Sequence, residues 1–167
     1  MTLCIAANHD GGIVLASDSC VTAGDTKLTL GELKGFEWRG LEILYAGPLH
    51  YVQQLQRQPS MGYFYGQVES FQRLVWDFPP EKKERGDVEF LVVADDMYIV
   101  SGWGDVVRQN DYAVVGSEYG WIGMDLEYPK IRNRTAYNTK KKIAHVMRVV
   151  ARRDNTVDAP FYYKELE

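Results

Sequence analysis

The sequence predicts an α+β or layered α/β domain with largely antiparallel sheets. Apolar runs with strand character are grouped early in the chain, helical segments follow, and a second group of strands precedes the last helix. A short turn around Asp10-Gly11 joins the first two runs, and Asp-Gly between apolar runs is typical of a hairpin. The chain has 167 residues, enough to bury a sizeable core, and we expect one domain over residues 1–167.

The predicted elements follow one another along the chain. Early apolar runs predict strands at 3–7, 13–17, 35–38 and 41–46. Segments with helical character come next, at 48–57 and 67–77. A further group of strands is predicted at 88–95, 97–102 and 112–117, and a short helix near 118–127. The last elements are an amphipathic helix over 139–153, with Asn138 or Thr139 as its N-cap, and a strand over 160–166.

Composition limits the class of protein. The net charge of −4 gives no reason to expect nucleic acid or a membrane surface as a partner. No apolar stretch approaches the ~20 residues of a membrane-spanning helix, and no basic region precedes the first apolar run as in a signal peptide. Cys4 and Cys20 do not make a disulfide framework, which favours a cytoplasmic protein. The three histidines are scattered without metal-ligand spacing, and we expect no metal and no cofactor.

Thr2 stands directly behind the initiator methionine and begins an apolar run. A small residue in second position is the usual context for removal of Met1, which would leave a free N-terminal threonine. Such a residue carries a hydroxyl nucleophile together with an α-amine whose pKa of about 7.7–8.0 leaves it partly neutral near pH 7. Thr2 is therefore a candidate catalytic residue. The alternative is that Thr2 is only the first residue of a strand and has no catalytic role.

A threonine nucleophile needs a cation near its hydroxyl, a carboxylate to hold the cation and an N–H for the developing oxyanion. Asp18 ends the second predicted strand, so it can lie close to the start of the first. Lys34 begins the next strand-like segment, with Lys27 as a rival for the same role. Gly47 ends the strand "LEILYA" and can supply the N–H.

These residues resemble the proteasome β-subunit group, which includes the bacterial HslV peptidase. Asp18 follows Thr2 by 16 positions, and Lys34 follows Asp18 by another 16, as in that family. The stretch "ASDSCVTAG" matches the family pattern A-x-D-x-x-x-T-x-G at four positions: Ala16, Asp18, Thr22 and Gly24. "LYAGP", "VVGSEYG" and "ARRD" resemble later family elements in the same order, so the resemblance extends over nearly the whole chain.

The resemblance implies the four-layer αββα sandwich of the N-terminal nucleophile hydrolases, an α+β fold with two mainly antiparallel sheets. It implies that Thr2 attacks an amide, that Lys34 lowers the pKa of the Thr2 hydroxyl and that Asp18 orients Lys34. The resemblance further implies that the Gly47 N–H donates to the oxyanion. It implies that Ser117 and Asp154 support the N-terminus from an outer layer of residues, and that Val21 and Thr22 bind the peptide substrate. The Thr22 backbone would pair with an extended peptide by strand addition.

Two departures from the family pattern concern the site. Val157 stands where the family usually has a serine, and Asp158 follows it. Pro48 and Leu49 are bulkier than the small residues usual after the glycine, which predicts an altered or partly blocked substrate pocket.

Two functions stay open at this point. The first is a threonine-type peptidase or amidohydrolase subunit, acting on a peptide or small amide, in a homo-oligomeric ring with an unknown regulator. The alternative is a catalytically inactive subunit of the same fold with a structural or binding role. Retention of Met1 would favour the second, because it blocks the amine that serves as the base.

Overall fold

The computed structural model describes residues 2–23, 26–78 and 86–167. Within these ranges the chain forms strands and helices that stack in layers. The early strands are β1 (Leu3–His9), β2 (Gly12–Ser17), β3 (Cys20–Ala23), β4 (Thr26–Thr29), β5 (Gly35–Trp38) and β6 (Leu41–Ala46). The later strands are β7 (Glu89–Val93), β8 (Met97–Ser101), β9 (Val106–Gln109), β10 (Tyr112–Gly116) and β11 (Tyr162–Leu166). The helices are α1 (Leu49–Gln56), α2 (Val68–Asp77), α3 (Glu118–Glu127) and α4 (Ala136–Arg153), with a 3₁₀ turn over Tyr128–Lys130.

Two antiparallel sheets form the middle of the molecule. The first has the strand order β10-β1-β2-β11 and the second β5-β6-β7-β8-β9. Every neighbouring pair of strands within them is antiparallel. The strands β3 and β4 form a separate hairpin. Because β1 is an interior strand, the N-terminal segment is hydrogen-bonded on both sides.

Three apolar clusters hold the layers together. One cluster packs α3 and α4 on the first sheet, with Ile5 and Met147 among its buried members. Another packs α1 and α2 on the second sheet around Phe71 and Phe90. The third joins the two sheets through residues such as Leu15 and Leu91. The order of layers is therefore helix, sheet, sheet, helix, which confirms the four-layer αββα prediction.

The strand β1 shows why its sequence is apolar without alternation. Leu3 and Ile5 belong to the helix-facing cluster, whereas Cys4 and Ala6 belong to the cluster between the sheets. Successive side chains of a strand point to opposite faces, and both faces of β1 are covered. The run from Leu3 to Ala7 is accordingly buried at every position.

The structure corrects two details of the predicted elements. The last helix begins at Ala136 rather than 139, and its N-cap is Thr135, whose hydroxyl accepts a hydrogen bond from Asn138 N at 3.1 Å. In its first turn Tyr137 is exposed and Ala136 and Asn138 are only partly buried, so the buried apolar stripe used for the prediction begins further along the helix, at Ile143. The short strands β3, β4 and β9 had no separate prediction, and β4 is exposed throughout. Across the described ranges, no helix combines the length and apolar character that crossing a membrane requires.

Candidate active site

Thr2 and the adjacent Leu3 are fixed by hydrogen bonds to two neighbouring segments. Ser117 N donates to the Thr2 carbonyl at 2.9 Å, on the side of β10. On the other side, Leu3 N donates to Asp18 Oδ1 at 3.0 Å, and Asp18 N donates to the Leu3 carbonyl at 3.0 Å. Thr2 itself is 7% exposed. Its hydroxyl is consequently held in one place at the head of an interior strand.

The Lys34 ammonium lies against the Thr2 hydroxyl. Lys34 Nζ donates to Thr2 Oγ1, to the Cys20 carbonyl, and to Asp18 Oδ1 at 3.1 Å. An ammonium has three N–H groups, so these three acceptors use all of them. A cation in direct contact with a hydroxyl favours the deprotonated form of that hydroxyl.

The Asp18 carboxylate organises the surrounding backbone as well as Lys34. Its Oδ2 accepts hydrogen bonds from Cys20 N at 3.2 Å and Asp158 N at 3.4 Å. Together with the bonds from Leu3 N and Lys34 Nζ to Oδ1, the carboxylate accepts from four donors. Asp18 is fully buried, and hydrogen bonds from four donors hold its carboxylate in a single orientation.

Lys27, the rival cation, lies elsewhere. It is exposed on β4, and its Nζ donates to the carbonyl of Asn155. Lys34 therefore is the lysine that the fold brings to Thr2. Cys4 is also set apart from this chemistry, because it is fully buried and its thiol donates to the Tyr45 carbonyl at 3.5 Å. Burial raises the pKa of the Cys4 thiol, which disfavours the reactive thiolate.

Gly47 borders a cavity that opens in front of Thr2. The cavity has a volume of about 500 Å³ and is lined by residues that include Thr2, Lys34, Gly47, Val21 and Glu89. Gly47 has φ +136°, and a Cβ built there would lie 2.5 Å from the Asp87 carbonyl oxygen. Only glycine fits this turn without movement of the backbone.

Pro48 and Leu49 also line this cavity, and they leave it open beside Thr2. Val21 forms part of its wall, and Thr22 is the next residue of β3, where its backbone pairs with Lys27. The edge of β3 is accordingly placed near the cavity that contains Thr2.

Ser117 and Asp154 lie in an outer layer of the site. Ser117 N contacts the Thr2 carbonyl, but its buried hydroxyl has no hydrogen bond of normal geometry to any described residue. Asp154, at the end of α4, accepts hydrogen bonds from Thr156 N at 2.9 Å and from the Thr156 hydroxyl. Burial opposes ionisation of Asp154, but the hydrogen bonds from Thr156 outweigh it, and the pKa is lowered.

Three supporting residues were missed in the sequence. Ser17 Oγ accepts a hydrogen bond from Lys34 N at 2.8 Å, which ties the lysine to the end of β2. Ser19 donates through N and Oγ to the Asp158 carbonyl, both at 3.2 Å. Thus Asp158 connects the chain after α4 to Asp18 and Ser19, whereas Val157 is buried in the core. The flanking serines in Ser17-Asp18-Ser19 were the only sequence signal of this network.

The described residues contain no group of three or more His, Cys, Asp or Glu side chains that could hold a metal ion.

Comparisons with known proteins give matches in structure but not in sequence. No protein-family model matches the chain, and a search of the curated proteins finds no relative. HslV from Trypanosoma brucei superimposes with a TM-score of 0.76 at 17% identity, covering 99% of this chain and 99% of HslV. BPH from Thiobacillus denitrificans, solved in complex with epoxomicin, gives a TM-score of 0.76 at 14% identity, covering 100% and 98%.

A third match is the helical assembly of the Anbu complex from Pseudomonas aeruginosa. Its TM-score is 0.68 at 20% identity, and the match covers 99% of this chain and 81% of Anbu. The matches span nearly the whole of the described chain, and they agree with the layer order of the two sheets and four helices. At these identities the likeness concerns the fold. The chain has the fold of the proteasome-like N-terminal nucleophile hydrolases.

Proposed function

We propose that this protein is a threonine-type amide hydrolase subunit, with Thr2 as its nucleophile after removal of Met1. The contact of Lys34 Nζ with Thr2 Oγ1 carries the proposal. The three N–H groups of this buried lysine point at a hydroxyl, a carboxylate and a carbonyl. Burying a charge costs stability, and such buried charges beside a reactive group are typical of functional sites.

The reaction would begin with attack of Thr2 Oγ1 on the carbonyl carbon of an amide bound in the 500 Å³ cavity. The free α-amine of Thr2 takes the hydroxyl proton, and the Lys34 ammonium stabilises the alkoxide as it forms. The Gly47 N–H is our candidate donor to the oxyanion of the tetrahedral intermediate. The α-ammonium then returns the proton to the leaving amine, and an ester on Thr2 remains for hydrolysis by water.

An extended peptide fits the surroundings of this cavity. The strand β3 borders it, and Val21 is part of the lining. A peptide laid along β3 at Val21 and Thr22 would add a strand and present one of its amides to Thr2. A peptide is therefore the preferred substrate class, and a small amide is the alternative within the same chemistry.

Covalent labelling tests the proposal directly. An epoxyketone such as epoxomicin reacts with both a hydroxyl and an amine on one residue, so it should add its full mass to the peptide that begins with Thr2. Intact mass of the untreated protein should show the loss of one methionine. Retention of Met1 on essentially every chain would leave no free amine, and the inactive-subunit function would then replace this one.

We also infer that the chain forms a homo-oligomer, arranged as a ring. Helix α3 exposes three apolar side chains spaced three and four positions apart, Tyr119, Ile122 and Leu126, with 36%, 51% and 62% of their surfaces accessible. This spacing places them on one face of the helix, where a second copy would cover them.

Light scattering should give a mass above twice that of the 19.1 kDa chain. Ile122→Asp with Leu126→Asp should reduce that mass, while Met61→Asp with Phe64→Asp, an equal charge change at exposed apolar positions elsewhere, should not. A stable 19 kDa monomer at micromolar concentration would contradict the inference.

A further inference from the structure

A second cavity lies between the segment 130–133 and helix α4, and it shares no residue with the candidate active site. Its volume is about 460 Å³. Five permanent cations line it: Lys130, Arg132, Lys141, Lys142 and Arg148. These are five of the 19 Lys and Arg residues of a chain whose net charge is −4. No described carboxylate is among the lining residues.

Two of these cations are already paired. Lys130 and Lys142 each bind Glu127 at 3.0 Å. Across residues 2–23, 26–78 and 86–167, however, no carboxylate forms an ion pair with Arg132, Lys141 or Arg148. Three uncompensated positive charges therefore face one concave surface.

The location of these charges is unfavourable for the protein alone. Lys141 and Lys142 lie in the second turn of α4, and the first turn contains no acidic residue. Five cations line the same cavity, and like charges held close together repel one another and reduce stability. An arrangement of charges that lowers the stability of the folded protein is expected at a functional site.

The cavity wall is held in place without a ligand. Thr135 caps α4 through Asn138 N, and Asn138 Nδ2 donates to the Asn133 carbonyl at 2.9 Å. Ile131 is 8% exposed and belongs to the apolar cluster under α4. The segment that carries Arg132 is thus anchored at both sides, and little ordering would be required on binding.

We propose that this cavity binds a small molecule carrying two or more phosphate groups. Guanidinium groups form paired hydrogen bonds to phosphate oxygens, and Arg132 and Arg148 supply two of them at the same cavity. The amides of Asn133 and Asn138 add polar groups to the lining. The negative charge of the whole chain repels an extended polyanion, whereas a compact ligand stays within the positive region.

Calorimetric titration with inorganic pyrophosphate at fixed ionic strength tests the proposal. We expect saturable binding at one site per chain, weakened at least about tenfold by Arg132→Gln with Lys141→Gln. The matched control is Arg57→Gln with Arg152→Gln, which removes the same charge from two exposed positions outside the cavity and should change the affinity less than about twofold.

Folding is checked separately by thermal unfolding. The cavity variant should unfold at no lower temperature than wild type, because it removes two of the five like charges that repel one another around the cavity. Equal weakening by the cavity and control variants would overturn the proposal, as would the absence of saturable binding to wild type. Tighter binding of a glutamate-rich peptide than of pyrophosphate, lost in the cavity variant, would replace the phosphate ligand with a protein partner.

Discussion

Lys34 Nζ and Asp18 Oδ1 lie 3.1 Å apart, and the two side chains are 1% and 0% exposed. Both charges have been removed from water, and each is compensated mainly by the other and by backbone groups. Such a pair adds little net stability when intact but is strongly destabilising when one partner is removed. The site is therefore part of the structural core as well as the proposed catalytic centre.

Lys34→Ala should lower the free energy of unfolding by about 3–5 kcal/mol, because it leaves Asp18 buried without its cation. Lys27→Ala should change it by less than about 0.5 kcal/mol, since Lys27 is exposed. Urea unfolding of the two variants checks this. Similar losses of stability in Lys34→Ala and Lys27→Ala would contradict the prediction that removing one partner of the buried pair is strongly destabilising.

The same two variants test whether Lys34 takes part in amide hydrolysis. In the fraction that stays folded at low temperature, Lys34→Ala should reduce amide hydrolysis at least ~10²-fold, the usual loss for a group that acts on the reacting atoms. Lys27→Ala should leave the rate within about twofold of wild type. A larger effect of Lys27→Ala would mean that the cation has been assigned to the wrong lysine.

Thr2→Ala should abolish turnover and leave the fold and assembly unchanged, because the change removes one hydroxyl while the backbone bonds of Thr2 stay. Thr2→Ser should keep measurable activity, since it retains both hydroxyl and amine. Rates with a fluorogenic peptide amide and light scattering on the same samples provide the comparison. Full activity of Thr2→Ala would eliminate Thr2 as nucleophile.

Gly116→Ala should prevent stable folding of the N-terminal segment. A Cβ at Gly116 would lie 1.7 Å from the Thr2 carbonyl oxygen, and the residue has φ +95°. Gly62→Ala is the matched control, because φ is +87° there but the space around the added Cβ is open. The control should cost only the backbone strain of about 1–2 kcal/mol. Thermal unfolding that ranks the two variants equally would contradict the steric argument.

Glu127 predicts a dependence of stability on pH. Hydrogen bonds from Lys142 and Lys130 lower its pKa from the ordinary 4.5 to about 2 in the folded protein. The unfolded chain therefore takes up a proton first as pH falls, and the stabilisation is present above about pH 4.5 and lost towards pH 2. Solvent reaches these side chains, so we expect no more than about 1 kcal/mol. Urea unfolding at pH 6 and pH 3 should show a smaller pH effect in Glu127→Gln than in wild type.

Most elements of this fold could be predicted because their apolar residues follow strand or helix periods, whereas the four-layer arrangement was implied by the family resemblance. The strands 35–38 and 41–46 have the predicted bounds, as does the helix 118–127. The hairpin of β3 and β4 could not be predicted this way, since β4 is exposed throughout and carries no apolar pattern. The position of the N-cap was missed for a related reason, because exposed Tyr137 lies in the first turn of α4.

The candidate site could be predicted only where position along the chain indicated proximity. Thr2 was chosen as the residue behind Met1, Asp18 by its place at the end of the second strand, and Lys34 by the match to the family spacing. The structure brings their side chains together. Asp158 reaches Asp18 through its backbone N–H from 140 positions away. A backbone contact has no side-chain signature in the sequence, so no pattern could have revealed it.

The interior position of β1 has a practical consequence for protein production. Thr2 borders the cavity, and its strand is enclosed by β10 and β2. An affinity tag fused ahead of Thr2 would have to leave the protein through the cavity region and would mask the α-amine. The strand β11 lies at the edge of its sheet and ends at Leu166. A purification handle belongs after Glu167, where it can extend into solvent.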